Sequence, residues 1–347
     1  MEWNLVSRIA NPWGQVPVSG GGQVVNPRVQ EYMANVAAAA ARRDCVSRRH
    51  HYVPQSYMRA WSPDGKRVRV LDTINGLDRL QGLRDTCVRE NFYRITDPLG
   101  APHNQAEAML SVIDDEAARL LRLLRGWEPD DDMEFDDFMS LAVVLAFQRN
   151  RTPQRKRLLE AQDTWMRMRA LQEAPTLTTT GFVASLFQST YGAADEHSTR
   201  QLELWDDPQD RLITSDQPVI LSTDASGRSP SMLSSQYLWW PLSPSRMLVL
   251  SQNLQPRKVV HRILGRREVD RLRAAVIRNA EAAIIALPQD TDLPAGRSLR
   301  RRPQLALTCT PVDTTTRRCR IELGTGYGTE TLDRTCRVLC AVGAMRS

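Results

Sequence analysis

Two adjacent histidines, His50-His51, stand directly before Tyr52-Val53-Pro54-Gln55. Near neutral pH an imidazole serves as a base or as a metal ligand, and the Val-Pro pair places it beside a rigid turn. Consecutive side chains point apart, so at most one of the two faces any given site. A buried histidine bonded to a backbone carbonyl would have the same local sequence. Glu107 and Asp114 lie seven residues apart in a strongly helical stretch, which puts both carboxylates on one side of it. That side is the shoulder of the helix's apolar stripe, not its centre. Gln148 and Arg151 are three apart at the end of an almost wholly apolar segment and share a face. Thr214-Ser215-Asp216-Gln217-Pro218 is a polar turn that interrupts a β-type run.

Arginine and carboxylates set in or beside apolar elements are costly unless they pair. A cluster of His50 or His51 with Glu107, Asp114, Gln148, Arg151 and Asp216 suits acid/base or metal-assisted hydrolysis of a phosphate ester. The histidine is then base or ligand, and Arg151 clamps charge that develops in the transition state. The expected enzyme is a nuclease-like hydrolase. Asp114 is the expected ligand of a divalent metal, and nucleic acid or a phosphorylated small molecule the expected partner. The other reading is a non-catalytic binding or defence-accessory module. In it, Glu107–Arg151 and Asp216–His51 are buried ion pairs that fix helix packing. Membrane attachment through the basic tail is weakest, since no amphipathic helix rich in aromatics accompanies it.

The elements that must position these residues are legible in the pattern. Pro27 to Arg43 reads as a helix with an alanine run and few large apolar residues, which predicts weak burial. Arg67 to Leu71 and Phe92 to Ile95 read as short strands. Asn104 to Arg125 is an amphipathic helix with Met109, Ile113, Ala117, Leu120 and Leu124 on one stripe. Phe135 to Asn150 is apolar nearly all round, so Phe138, Leu141, Val144, Leu145 and Phe147 are expected in the core. Thr152-Pro153 restarts a helix to about Gln172. Pro175 and the threonines Thr176 and Thr178 to Thr180 predict a linker. Five β-type runs follow between Leu202 and Leu250, and Arg266 to Leu287 reads as a second amphipathic helix. The pattern predicts an α+β fold: a helix-rich first half with a mixed or antiparallel sheet from the second half packed on it. Residues 1–45 form an N-terminal arm and helix, 46–288 the core, and 289–347 a basic, poorly ordered tail with at most a short hairpin.

Taken in order, these stretches resemble an uncharacterised bacterial family, the domain of unknown function 4238, with its HYVPQ signature. The resemblance rests on His50-His51-Tyr52-Val53-Pro54-Gln55 with Tyr57-Met58-Arg59 and Trp61, and on Asn91-Phe92-Tyr93. It continues through Glu107 with Asp114, Gln148, Arg151-Thr152-Pro153, Thr214-Ser215-Asp216 with Pro218, Pro241-Leu242-Ser243-Pro244 and Asn279. It covers about residues 46 to 288. Where Asp114 stands the family usually has Glu, and the shorter side chain has less reach for metal ligation. The resemblance implies no established activity.

Composition sets outer bounds. The chain has 347 residues, 41% of them hydrophobic and 25% charged, which excludes a disordered chain or a small disulfide scaffold. No apolar run approaches the ~20 residues of a membrane span. The net charge is +6, and only Lys66, Lys156 and Lys258 among the 46 basic residues are lysines. The arginines are spread along the whole chain, so compositional bias explains them better than a single phosphate-binding patch. Six cysteines lack any C-x-x-C spacing, which argues against a zinc site and fits reduced thiols in a cytoplasmic protein.

Overall fold

Apolar faces at helical spacing build the first half of the molecule. The computed structural model describes residues 27–43, 47–97, 99–129, 131, 133–168, 177–222, 235–252 and 259–294, with three backbone strands between 306 and 335. Helix α1 spans Pro27–Ala40. Its few apolar residues, Val29, Met33, Val36 and Ala40, are all buried, so the weak burial expected of it is corrected. Spaced at i, i+4, i+7 and i+11, they form one narrow seam, enough to dock a helix. Helix α3, Gln105–Arg125, buries its predicted stripe, and α4, Phe135–Asn150, lies in the centre. Leu141, Val144, Leu145 and Phe147 of α4 are inaccessible; Phe138 is half-buried. Asp136 and Asp137 stand in the first turn of α4, where the helix dipole favours negative charge.

Helix α5, Pro153–Met168, follows at once, and then comes a helix the sequence pattern does not announce. Thr178 to Thr180, expected in a linker, open α6, Thr179–Ser198, with the Thr178 hydroxyl accepting from the Gly181 amide at 3.1 Å. Both faces of α6 carry apolar residues, so no amphipathic period stands out. It packs along α4, with Phe187 edge-on to Phe147 and His197 Nδ1 donating to the Ala142 carbonyl at 3.2 Å. Pro175 and Thr176 lie outside the described residues, as do the arm of residues 1–26 and the end of the helix expected to reach Gln172.

Near the signature, β1 (Arg49–His51) pairs antiparallel with β4 (Val88–Glu90). Between them come the short helix α2 (Gln55–Met58), the 3-10 turn Arg59–Trp61, and the hairpin of β2 (Arg67–Asp72) and β3 (Leu77–Gly82). The strand expected at Phe92 to Ile95 is not formed. Asn91 adopts φ 52°, the Arg94 amide bonds back to the Asn91 carbonyl, and the chain turns there. Ile95–Thr96 (β5) then pairs with Pro102–His103 (β6).

The second half supplies the main sheet. Strands β7 (Gln201–Asp206), β8 (Thr214–Ser215), β9 (Ile220–Leu221), β10 (Tyr237–Pro241) and β11 (Arg246–Ser251) follow in sequence, then β12 (Val260–Ile263). The five-stranded order is β12-β7-β11-β10-β9, antiparallel except for the parallel β12–β7 pair. Helix α7 covers Arg266–Asn279 and stops well before the expected Leu287. Residues Ala283–Ala286 instead form β13, between β2 and β8 in the order β3-β2-β13-β8. The Asp216 carboxylate explains the change: it accepts the amides of Glu281 and Ala282 at 2.9 and 2.7 Å and so ends the helix, leaving β-branched Ile284 and Ile285 to enter a sheet. The architecture is α+β, with the helices mainly in the first half. Within the stretch expected as a tail, Ala306–Asp313 (β14), Arg318–Thr325 (β15) and Gly328–Thr335 (β16) form a three-stranded antiparallel sheet, one strand more than a hairpin. Among the described residues, no helix is long and apolar enough to cross a membrane.

Candidate functional site

The β1–β4 ladder sets the two histidines on opposite sides, as alternation requires. His50 is fully buried. Its Nδ1 accepts the Tyr93 amide at 2.9 Å, its Nε2 donates to the Ser47 carbonyl at 2.9 Å, and its ring stacks on Tyr93 with planes 4° apart. Both ring nitrogens are thus committed to backbone. Burial pulls its pKa below the ordinary histidine range, against the Ser47 carbonyl. His51 is half-buried, and its Nε2 is buried without a hydrogen-bond partner. Burial also lowers its pKa, against the carbonyls of Leu83 and Arg84, and the charges of Arg49 and Arg151 add to the effect.

Arg151 sits at the C-terminal cap of α4 and is 2% exposed. Its Nη1 meets Asp114 Oδ1 at 2.7 Å, and Gln148 Oε1 accepts from its Nε and Nη2 at 3.2 and 2.9 Å. Gln148 Nε2 donates onward to the Tyr52 carbonyl at 3.1 Å, and the Tyr93 hydroxyl donates to the Arg151 carbonyl at 2.6 Å. Burial works against the guanidinium's charge, but Asp114, Tyr93 and Glu107 outweigh it and hold the group firmly protonated. Glu107, one side of α3 shared with Asp114, is half-buried. Burial, helped by Asp114, pushes its carboxyl up to about 7, against the pull of Arg151.

The structure therefore brings His50, Gln148, Arg151, Asp114 and Glu107 into one cluster from three segments, with His51 at its edge. Tyr52 and Tyr93 join it. They were visible in the sequence only as members of the signature stretches, because a tyrosine in an apolar run reads as core. Among the described residues, Asp216 does not join the cluster by any hydrogen bond. It is fully buried and held by the turn before β13, facing Tyr52 and Cys87. Burial pushes its carboxyl up to about 7, against the amides it accepts.

Two expected ion pairs are corrected. Arg151 pairs with Asp114 and not with Glu107, because the shorter Asp on the same face meets the guanidinium directly. Asp216 pairs with backbone amides and not with His51. The divalent metal expected at Asp114 has no ligand set: among the described residues, no three His, Cys, Asp or Glu side chains stand together to hold one. The carboxylate is engaged by Arg151 instead. Two surface grooves of about 620 and 650 Å³ are lined by none of these seven residues.

The family described as "Protein of unknown function (DUF4238)" matches residues 49–290. No curated protein and no solved structure matches the chain.

Proposed function

The chain belongs to the DUF4238 family, and from that premise we propose a non-catalytic binding module in which the Arg151 network is a structural strut. The observation that carries this reading is the state of Arg151. It is buried, ion-paired, bonded through Gln148 to the backbone of the signature stretch, and in the lining of neither groove. A transition-state clamp needs donors aimed at substrate. Here three of the donor directions point at Gln148 and Asp114. The strut joins α3, α4 and the loop after β1, which explains why those residues must be polar inside an apolar core.

A second reading, hydrolysis of a phosphodiester, is favoured by Glu107 alone. A half-buried carboxyl titrating near 7 is suited to proton transfer at neutral pH. Melting curves and a turnover assay on bis(p-nitrophenyl) phosphate separate the two. The binding reading expects Gln148→Ala to lower the melting midpoint and the wild type to turn over no faster than buffer. Turnover by the wild type that Glu107→Gln abolishes at an unchanged midpoint would establish the hydrolase.

A further inference from the structure

Several arginines of the core pair with a carboxylate: Arg69 with Asp78, Arg157 with Glu281, Arg211 with Asp207, Arg246 with Asp206. The arginines of one groove have no such partner among the described residues. About 650 Å³ in volume, the groove lies between the C-terminal half of α3, the turn after α2 and the loop joining β10 to β11. Arg59, Arg122 and Arg125 line it, with the hydroxyls of Ser56, Ser243 and Ser245. Neither Arg59 nor Arg122 has an ion-pair or hydrogen-bond partner for its guanidinium among the described residues, and both are exposed. Arg125 is half-buried. Its Nε and Nη2 donate to the carbonyls of Leu242 and Tyr57 at 2.7 and 2.9 Å, which fixes the fork without neutralising it. Burial pulls its pKa down, and no carboxylate among the described residues opposes this.

Arginines in the last turn of a helix can serve the helix dipole. That role is already filled here. Arg246 reaches over from β11 and donates through Nη1 to the carbonyls of Leu124, Arg125 and Trp127. Arg59, moreover, comes from a different element. Three guanidiniums from two segments line this groove, one of them anchored and half-buried, and their charge and donors suit a dianion.

We propose that this groove binds a phosphorylated small molecule, its phosphate held by Arg59, Arg122 and Arg125 and its hydroxyls by Asp210 and the serines. A nucleic acid fits less well. Among the described residues, no aromatic ring on which a base could stack lines the groove, and Asp210 in its wall would repel a continuous phosphate backbone. The proposal names the ligand site of the binding reading and rests on it. It fails separately, because the strut is read from melting and the groove from binding.

The test is calorimetric titration of the full chain at low salt with ribose 5-phosphate, inorganic phosphate, ribose, and a single-stranded oligonucleotide. Saturable binding of ribose 5-phosphate is expected, weakened by added salt, with none for ribose. Inorganic phosphate should bind through the same arginines, more weakly. The double variant R59Q/R122Q should bind about tenfold more weakly, as the loss of charge-assisted contacts implies, at an unchanged melting midpoint. The control R48Q/R79Q removes equal charge elsewhere and should bind as wild type. Should the double variant melt early, R122Q alone gives the same reading. No saturable heat, equal binding by wild type and the groove variants, loss of binding in the control, or binding of the oligonucleotide but not of ribose 5-phosphate would each overturn the proposal.

Discussion

The two ends of α3 treat arginine in opposite ways. At the first half, Glu107 and Asp114 face Arg151, and the guanidinium disappears into a paired, bonded cluster. In the last turn, Arg122 and Arg125 face a groove where, among the described residues, no acid is in ion-pair contact with them. Eight to eighteen helical rises separate these acids from the arginines, on the order of 12–27 Å along the axis. The lesson is one of solvation. A buried charge must find its partner within the protein, so it becomes part of the fold. A charge at a groove keeps water as its partner and remains available to a ligand.

The strongest way to break this comparison is Arg151→Ala. It strands Asp114 and should cost ~3–5 kcal/mol, the range for removing one partner of a buried pair. Chemical denaturation checks it, and a midpoint near wild type would mean the cluster is not a strut. Next, Leu145→Ala in α4 should cost ~2–5 kcal/mol as a core deletion. It calibrates how much of the helix layer's stability is apolar. Gln148→Ala leaves the Tyr52 carbonyl and Arg151 short of partners and should cost ~1–3 kcal/mol.

Glu107 sharpens the contrast through pH. Its folded pKa, about 7, lies above the ordinary value, so the folded state holds the proton more tightly than the unfolded state. Its contribution to stability is therefore full in acid and is lost as pH rises through about 7. Glu107→Gln should flatten the decline between the ordinary glutamate range and neutrality. An identical pH profile in urea titrations would contradict the shift. The smallest effect belongs to the groove: R59Q/R122Q should change stability by no more than ~0.5 kcal/mol, as exposed, unpaired side chains do. A larger loss would show that these arginines also hold the fold.

Much of the frame was legible beforehand. The stripe of α3 and the unbroken apolar run of α4 fix those helices wherever they are placed, because burial of a face follows from period alone. The signature residues were also visible, and Glu107 with Asp114 and Gln148 with Arg151 were correctly set on shared faces. What the pattern missed has a common cause. Helix α6 is apolar on more than one face, so its period is blurred until α4 covers it. The stretch from Arg266 to Leu287 keeps a helical stripe to its end, yet the Asp216 carboxylate, arriving from 65 residues away in the chain, takes the amides of the following turn and turns the remainder into a central strand.

By itself, then, the sequence determined the α+β class, the buried helix and the identity of the polar groups that a core must satisfy. These are local properties, set by side-chain period and by the cost of burying charge. Tertiary structure alone decided who pairs with whom: Asp114 and not Glu107 with Arg151, backbone and not His51 with Asp216, and, among the described residues, no acid in ion-pair contact with Arg59, Arg122 and Arg125. Partner choice turns on differences of an ångström between segments far apart in the chain, and no spacing along the sequence encodes such a distance.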